Sequence, residues 1–185
     1  ELDVYEDWRQ APEVRAKDLA SKMIKEQIAG LMLYSDHQSV PATYMGFYGG
    51  KLYEESDANP YDLTDEQLVF LKKDNLRAIL ITSVTSPEVA AKWNNNVQAY
   101  VESFGLGIPA NNSSDPRHQA SADMEYNAGG GGAISRWPNS IGMAATFDPE
   151  LMERFGQIAS IEYRALGIAT ALSPQVDLAT KPRWS

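Results

Sequence analysis

The sequence contains no cysteine. That absence excludes disulfide bonds, thiolate metal sites and a cysteine nucleophile, although it does not identify a cellular compartment. Long apolar runs are also missing, because no window approaches the roughly 18 residues of a membrane-spanning helix. Positive charge is scarce: 16 Lys and Arg stand against 25 Asp and Glu, which gives a formal net charge of −9. An acidic chain without a basic stripe argues against nucleic acid and anionic membranes as partners.

The amino terminus lacks the basic and then apolar stretch of a secretory leader, although a mature or trimmed chain would begin in the same way. The 185 residues are enough for about one domain with a sizeable core. A hydrophobic content of 43% and a charged content of 22% are typical of a globular protein.

Apolar periodicity predicts helices that alternate with short apolar strands. Such alternation is typical of parallel βαβ units. Four units are too few to close an eight-stranded barrel of about 250 residues. We therefore expect an α/β fold that forms the first part, about four βα units, of a (β/α)8 barrel. The predicted order is a helix from Pro12, a strand at 30–35, a helix at 64–73, a strand at 76–83, a helix at 87–104, a strand at 108–114, a helix at 149–166 and a strand at 168–173.

One predicted strand becomes polar and then ends on a carboxylate. It lies in the segment Gly107–His118, GIPANNSSDPRH, where the polar run leads to Asp115. This pattern is expected if the carboxyl end of the strand opens into a site, as in α/β barrels. The alternative is a plain turn, because Asp-Pro is a common turn opener and Asp often caps a helix.

Two long loops separate the predicted elements, at 36–62 and at 117–140. Loops of this length are often functional or mobile. The second contains four consecutive glycines, Gly129–Gly132, which are compatible with a phosphate-binding loop. No Lys-Ser/Thr pair follows the glycines and no strand precedes them, so backbone that is flexible or tightly folded near a site is the competing interpretation.

Five segments in collinear order resemble family 3 glycoside hydrolases, the exo-acting β-glucosidases and related enzymes. Gly107–His118 resembles the family's GIP…D..H motif, and WPNSIGMAATFDPEL (137–151) is similar to its FP…GLAATWDPEL segment. EYRALGI (162–168) resembles E.RALGI, and SPQVDLATKPRW (173–184) resembles AP..D.ARDPRWGR. DLASKMIKEQIAGLM (18–32) is similar to the family's opening LLSKMTLEEKIGQM.

The resemblance implies an N-terminal barrel domain whose site lies at the strand carboxyl ends, and retaining hydrolysis through two carboxylates. Neither the nucleophile motif nor the acid/base is found in these residues, so no catalytic residue is assigned. The resemblance does imply substrate-binding roles for Asp115 and Arg183, which would accept from and donate to sugar hydroxyls. His118 matches a family histidine that supports the loop or contacts the ligand. Trp184 would stack on a sugar or simply pack.

The sequence is compatible with three hypotheses about function. The chain is the N-terminal part of a β-glycosidase, inactive alone, or a non-catalytic carbohydrate-binding or assembly module on the same fold. The third is a phosphate-substrate enzyme that uses the glycine run. We expect no cofactor or metal, a carbohydrate ligand, and contact with the rest of the same polypeptide or with a second copy of the chain. The expected compartment is the periplasm or the exterior, with the cytoplasm as the alternative.

Overall fold

The computed structural model of the chain describes residues 2–37, 59–81, 86–115, 118 and 134–174. A short 3-10 helix, Val4–Glu6, precedes the regular elements. No helix in these ranges is both long and apolar enough to cross a membrane. The helices are α1 (Pro12–Lys22), α2 (Lys25–Leu31), α3 (Asp65–Lys72), α4 (Pro87–Glu102), α5 (Ser140–Ala144) and α6 (Pro149–Leu166). The strands are β1 (Tyr34–Asp36), β2 (Ala78–Leu80), β3 (Asn111–Ser114) and β4 (Thr170–Ala171).

Side-chain caps define where α3, α4 and α6 begin. The Thr64 hydroxyl accepts a hydrogen bond from the Gln67 N–H at 3.1 Å, and Ser86 caps α4 in the same way. The Asp148 carboxylate accepts from the Leu151 N–H at 3.0 Å at the start of α6. These acceptors satisfy N–H groups that have no partner within a helix. Helix α6 ends at Gly167, whose φ of 83° is a left-handed conformation that glycine adopts without strain.

The four strands form one parallel sheet in the order β1-β2-β3-β4. One cross-strand row contains Ser35, Ile79 and Asn112. Because successive side chains of a strand point to opposite faces, this row shares one face of the sheet. That face lies against helix α4, since the Asn112 side chain donates to the Asn94 side chain. The core is built there from buried apolar residues, including Ile79, Ile81, Trp93, Val97, Val101, Tyr163, Leu166 and Ile168.

Strand β3 is polar and yet buried: Asn112, Ser113 and Ser114 are each at most 1% exposed. Burying a hydroxyl is costly unless it forms hydrogen bonds. Ser113 donates to the Ile79 carbonyl at 3.1 Å, and Ser114 donates to the Ile81 carbonyl at 2.8 Å. The polar residues therefore strengthen the pairing of β3 with β2.

The α/β class and the parallel arrangement are confirmed, whereas the predicted strand at 30–35 is partly wrong. Residues 25–31 form helix α2, and β1 begins only at Tyr34. Gly30 is buried in α2 against the Asp74 carbonyl, at a distance too short for any side chain. The Gln27 side chain accepts from the Ile24 N–H at 3.0 Å at the start of α2, and the contact of Gly30 packs this helix against residues 74–75, so the strand begins only after it. The remaining strands lie within their predicted ranges but are shorter.

Candidate functional site

The carboxyl ends of parallel strands share one edge of the sheet, and two predicted site residues follow β3 there. Asp115 comes directly after the last residue of β3 and is partly buried. The Tyr163 hydroxyl of α6 donates a hydrogen bond to the main-chain carbonyl of Asp115. Among the described residues, no Lys, Arg or His forms an ion pair with the Asp115 carboxylate. The backbone of Asp115 is therefore anchored to a core helix, while its carboxylate has no described cationic partner.

His118 lies inside the protein, with 3% of its surface exposed. Its Nε2 atom is 2.8 Å from the Glu162 carboxylate, an ion-pair distance. Its ring also contacts two aromatic rings of α6, with centroids 6.0 Å from Phe155 and 5.0 Å from Tyr163. Burial lowers the pKa of His118, and the neighbouring Glu162 only partly offsets that effect. This placement favours a supporting role for His118 over contact with a ligand.

Glu162 is the centre of a polar cluster beside the end of β3. Its carboxylate accepts from the Ser135 hydroxyl at 2.9 Å and from the Ser135 N–H at 3.2 Å. The indole N–H of Trp137 donates to the Ser135 hydroxyl at 3.0 Å. The Trp137 N–H donates to the His118 carbonyl at 2.7 Å. We call His118, Ser135, Trp137 and Glu162 the Glu162 cluster.

Neither Glu162 nor Tyr163 is among the site residues predicted from the sequence. Both occur in the segment 162–168, which matches a family motif. That motif match was the signal in the sequence that pointed to them, because their burial and their contacts become visible only in the fold.

The first strand also ends in polar residues. The His37 N–H donates to the Leu80 carbonyl at 2.9 Å, which continues the pairing of β1 with β2. The His37 ring packs edge-to-face on Trp93, with centroids 4.3 Å apart. The Tyr34 and Ser113 hydroxyls form a hydrogen bond across β2. The carboxyl edge of the sheet therefore carries the His37 imidazole and the carboxylates of Asp36 and Asp115.

Several predicted features lie outside the described residues. They include Arg183 and Trp184, the partners expected to share the sugar site with Asp115. The glycine run Gly129–Gly132 and most of the 36–62 loop also lie outside them. In the part of the chain that the structure covers, no group of three or more His, Asp or Glu side chains could hold a metal ion.

The sequence matches one family over most of its length. The family is described as "Glycosyl hydrolase family 3 N terminal domain", and the match spans residues 23–185. The chain is 38% identical over 183 residues to a periplasmic beta-glucosidase/beta-xylosidase of Dickeya chrysanthemi, covering 99% of this chain and 26% of that protein. It is 33% identical to beta-glucosidase C of Emericella nidulans, covering 100% of this chain and 27% of that protein. The chain spans about a quarter of the length of these curated relatives.

Proposed function

The chain belongs to glycosyl hydrolase family 3, and from that membership we propose that it is the N-terminal part of a retaining β-glycosidase. The longer enzyme would hydrolyse terminal β-D-glucosyl or related residues. The proposal is carried by the family match over residues 23–185 and is supported by the position of Asp115 directly after β3, at the carboxyl edge of the parallel sheet. Hydrolases of this fold class bind substrate at that edge.

The fold that we propose for the longer protein is a (β/α)8 barrel, of which the four described strands are the first part. In this sheet each strand lies beside its sequence neighbours, in the order β1-β2-β3-β4. A doubly wound sheet instead reverses its strand order at a switch point. Sequential order without reversal therefore supports a barrel, which the remaining polypeptide would close.

In this proposal the chain contributes sugar-binding residues and not the reacting carboxylates. Retaining hydrolysis needs a nucleophile and an acid/base roughly 5 Å apart. We assign neither to this chain, and we expect both in the remainder of the polypeptide. Asp115 would accept hydrogen bonds from hydroxyls of the sugar in the −1 subsite, and Arg183 would donate to others. Trp184 would stack on that sugar or pack beside it, and His118 would support the loop.

Two relatives carry glucosidase names and one of these also a xylosidase name, which supports a β-glucoside or β-xyloside as substrate. The word periplasmic in the name of the Dickeya chrysanthemi relative supports a periplasmic or secreted location. We propose no cofactor, because glycoside hydrolysis with two carboxylates requires none.

The test is turnover of 4-nitrophenyl β-D-glucoside and β-D-xyloside by the full-length protein that contains these residues. Asp115→Ala should lower kcat/KM by about 100-fold or more, since a charge-assisted hydrogen bond to the sugar is lost. Asp65→Asn is the matched control, because Asp65 is an exposed carboxylate in the first turn of α3. Equal activity of Asp115→Ala and the control would refute the role of Asp115. Sugar binding without turnover by the full-length protein would instead favour a non-catalytic carbohydrate-binding module.

A further inference from the structure

Two adjacent residues of α6 reach the backbone that follows β3. The Tyr163 hydroxyl donates to the carbonyl of Asp115, and the Glu162 carboxylate lies 2.8 Å from Nε2 of His118. Asp115 and His118 are therefore tied to the same helix through different atoms, one through its main chain and one through its ring. In this way α6 limits the positions that Asp115 and His118 can adopt.

The same carboxylate also holds a second, distant part of the chain. Glu162 accepts from both the N–H and the hydroxyl of Ser135, and Trp137 donates its main-chain N–H to the His118 carbonyl. His118, which precedes the 119–133 segment, is therefore joined to Ser135 and Trp137, which follow that segment, through Glu162 and through the main chain. These three contacts fix the rotamer of Glu162. The carboxylate therefore restrains both segments more strongly than separate residue pairs would.

Helix α6 is itself fixed to the core, so the constraint has a rigid base. Tyr163 and Leu166 are 6% and 3% exposed, and the Asn94 side chain donates to the Leu166 carbonyl. A Cβ atom on Gly167 would lie 2.5 Å from the Cβ of Asn94, which shows how closely α6 meets α4. A shift of α6 along its axis would break these contacts.

We propose that Glu162 and Tyr163 are positioning residues of the sugar site, which act by holding Asp115 and His118 in place at the end of β3. The inference rests on the proposed function, because it assumes that Asp115 binds sugar. Neither residue touches the substrate in this proposal. They set the position of the carboxylate that does, and displacement of a binding group by about 1 Å can cost up to 100-fold in rate.

The experiment measures kcat and KM on the two 4-nitrophenyl glycosides for variants of the full-length protein. Glu162→Ala should raise KM and lower kcat/KM by about tenfold. Glu162→Gln should recover most of that loss, because its amide oxygen still accepts from Ser135. Glu153→Ala is the control, since Glu153 is an exposed carboxylate of the same helix. A merely structural role would reduce the active fraction and the melting temperature and leave KM unchanged, and that result would overturn the proposal.

Tyr163→Phe provides a second variant in case Glu162→Ala does not fold. It removes only the hydroxyl that reaches Asp115, so we expect an unchanged fold by circular dichroism and about a fivefold rise in KM. A KM equal to that of the unmodified protein would contradict the positioning role of Tyr163.

A double-mutant cycle separates this inference from the proposed function. If Glu162 acts through Asp115, Glu162→Ala should have little further effect when Asp115 is already Ala. Full additivity of the two changes would overturn the positioning role alone. An Asp115→Ala variant with unchanged kcat/KM, or a full-length protein that turns over neither glycoside, would overturn the proposed function and the positioning role with it.

Discussion

At the scale of single residues, buried ionisable side chains join chain segments at both edges of the sheet. Arg77 is 6% exposed and donates to the carbonyls of Leu71, Leu76 and Ile108 at 2.7–2.8 Å. Its partners are main-chain groups beside the amino end of β2, so its role is to join loops at the edge opposite the site. His118 and Glu162 instead join segments at the carboxyl edge. These two sets of contacts therefore join different segments of the chain at opposite edges of the sheet.

His118 should make stability depend on pH. Burial lowers its pKa from the ordinary value of 6.5, so the unfolded chain binds a proton more readily than the folded chain does. Its contribution is present above pH 6.5 and declines as pH falls through the lowered pKa of the folded state. We expect the melting temperature of the unmodified protein to fall more steeply than that of His118→Gln below this value. The check is a series of thermal melts of both proteins from pH 7.5 to pH 4.5.

The other titratable groups are present in both proteins, so their contributions cancel when the two plots of melting temperature against pH are subtracted. Parallel curves across this range would show that His118 titrates with the same pKa in both states. A steeper decline for His118→Gln would contradict the predicted direction.

At the scale of elements, helix packing decides how much room each position has. Gly30 of α2 lies where a Cβ atom would be 2.0 Å from the Asp74 carbonyl oxygen. At Gly156 of α6 the same added Cβ would have no atom within 4 Å other than the adjoining residues and backbone of its own helix. The two positions have the same residue type in the same kind of element, yet only the first is set by a tertiary contact.

This pair of glycines gives a matched stability prediction. Gly30→Ala should lower the free energy of unfolding by at least about 2 kcal/mol, because main-chain atoms cannot move aside easily. Gly156→Ala should leave it unchanged or raise it by up to about 1 kcal/mol, because alanine is the better helix former. Urea unfolding of both variants measures the difference. Equal effects would refute the close packing of α2 on residues 74–75.

The polar strand β3 illustrates a limit of periodicity at this scale. Its sequence, NNSS, has few features of a buried strand, but Asn112 lies fully inside the protein. The predicted strand at 108–114 was correct in place because glycine and proline delimited it. Its burial could not be predicted, because that depends on Asn94 of α4 and on the carbonyls of β2.

At the scale of the whole molecule, apolar side chains are exposed beside both outer strands. Met32, Leu33 and Tyr34 are 83%, 53% and 51% exposed near β1, and Leu172 is 38% exposed after β4. Within the described residues, β1 and β4 each have one side without a neighbouring strand, and such edges with exposed apolar groups tend to associate. In the barrel that we propose, the remaining polypeptide would cover these surfaces.

The isolated 185-residue chain should therefore self-associate in solution. Size-exclusion chromatography with light scattering should give a mass above the 20.4 kDa of a single chain. Met32→Lys should weaken this association, because it places a charge beside the open edge. Trp8→Lys is the control, since Trp8 is 79% exposed but lies before α1. A stable monomer at 20.4 kDa would contradict the prediction.

The sequence by itself determined the family, the α/β class, the helix boundaries marked by caps and the position of Asp115 after a strand. These features depend on local signals, namely proline and capping residues, glycine at helix ends and motifs in collinear order. Only the tertiary structure decided that Gly30 packs against residues 74–75, that NNSS is buried, and that Glu162 joins His118 to Ser135. Each of these depends on contacts between residues far apart in the chain, which no local pattern encodes.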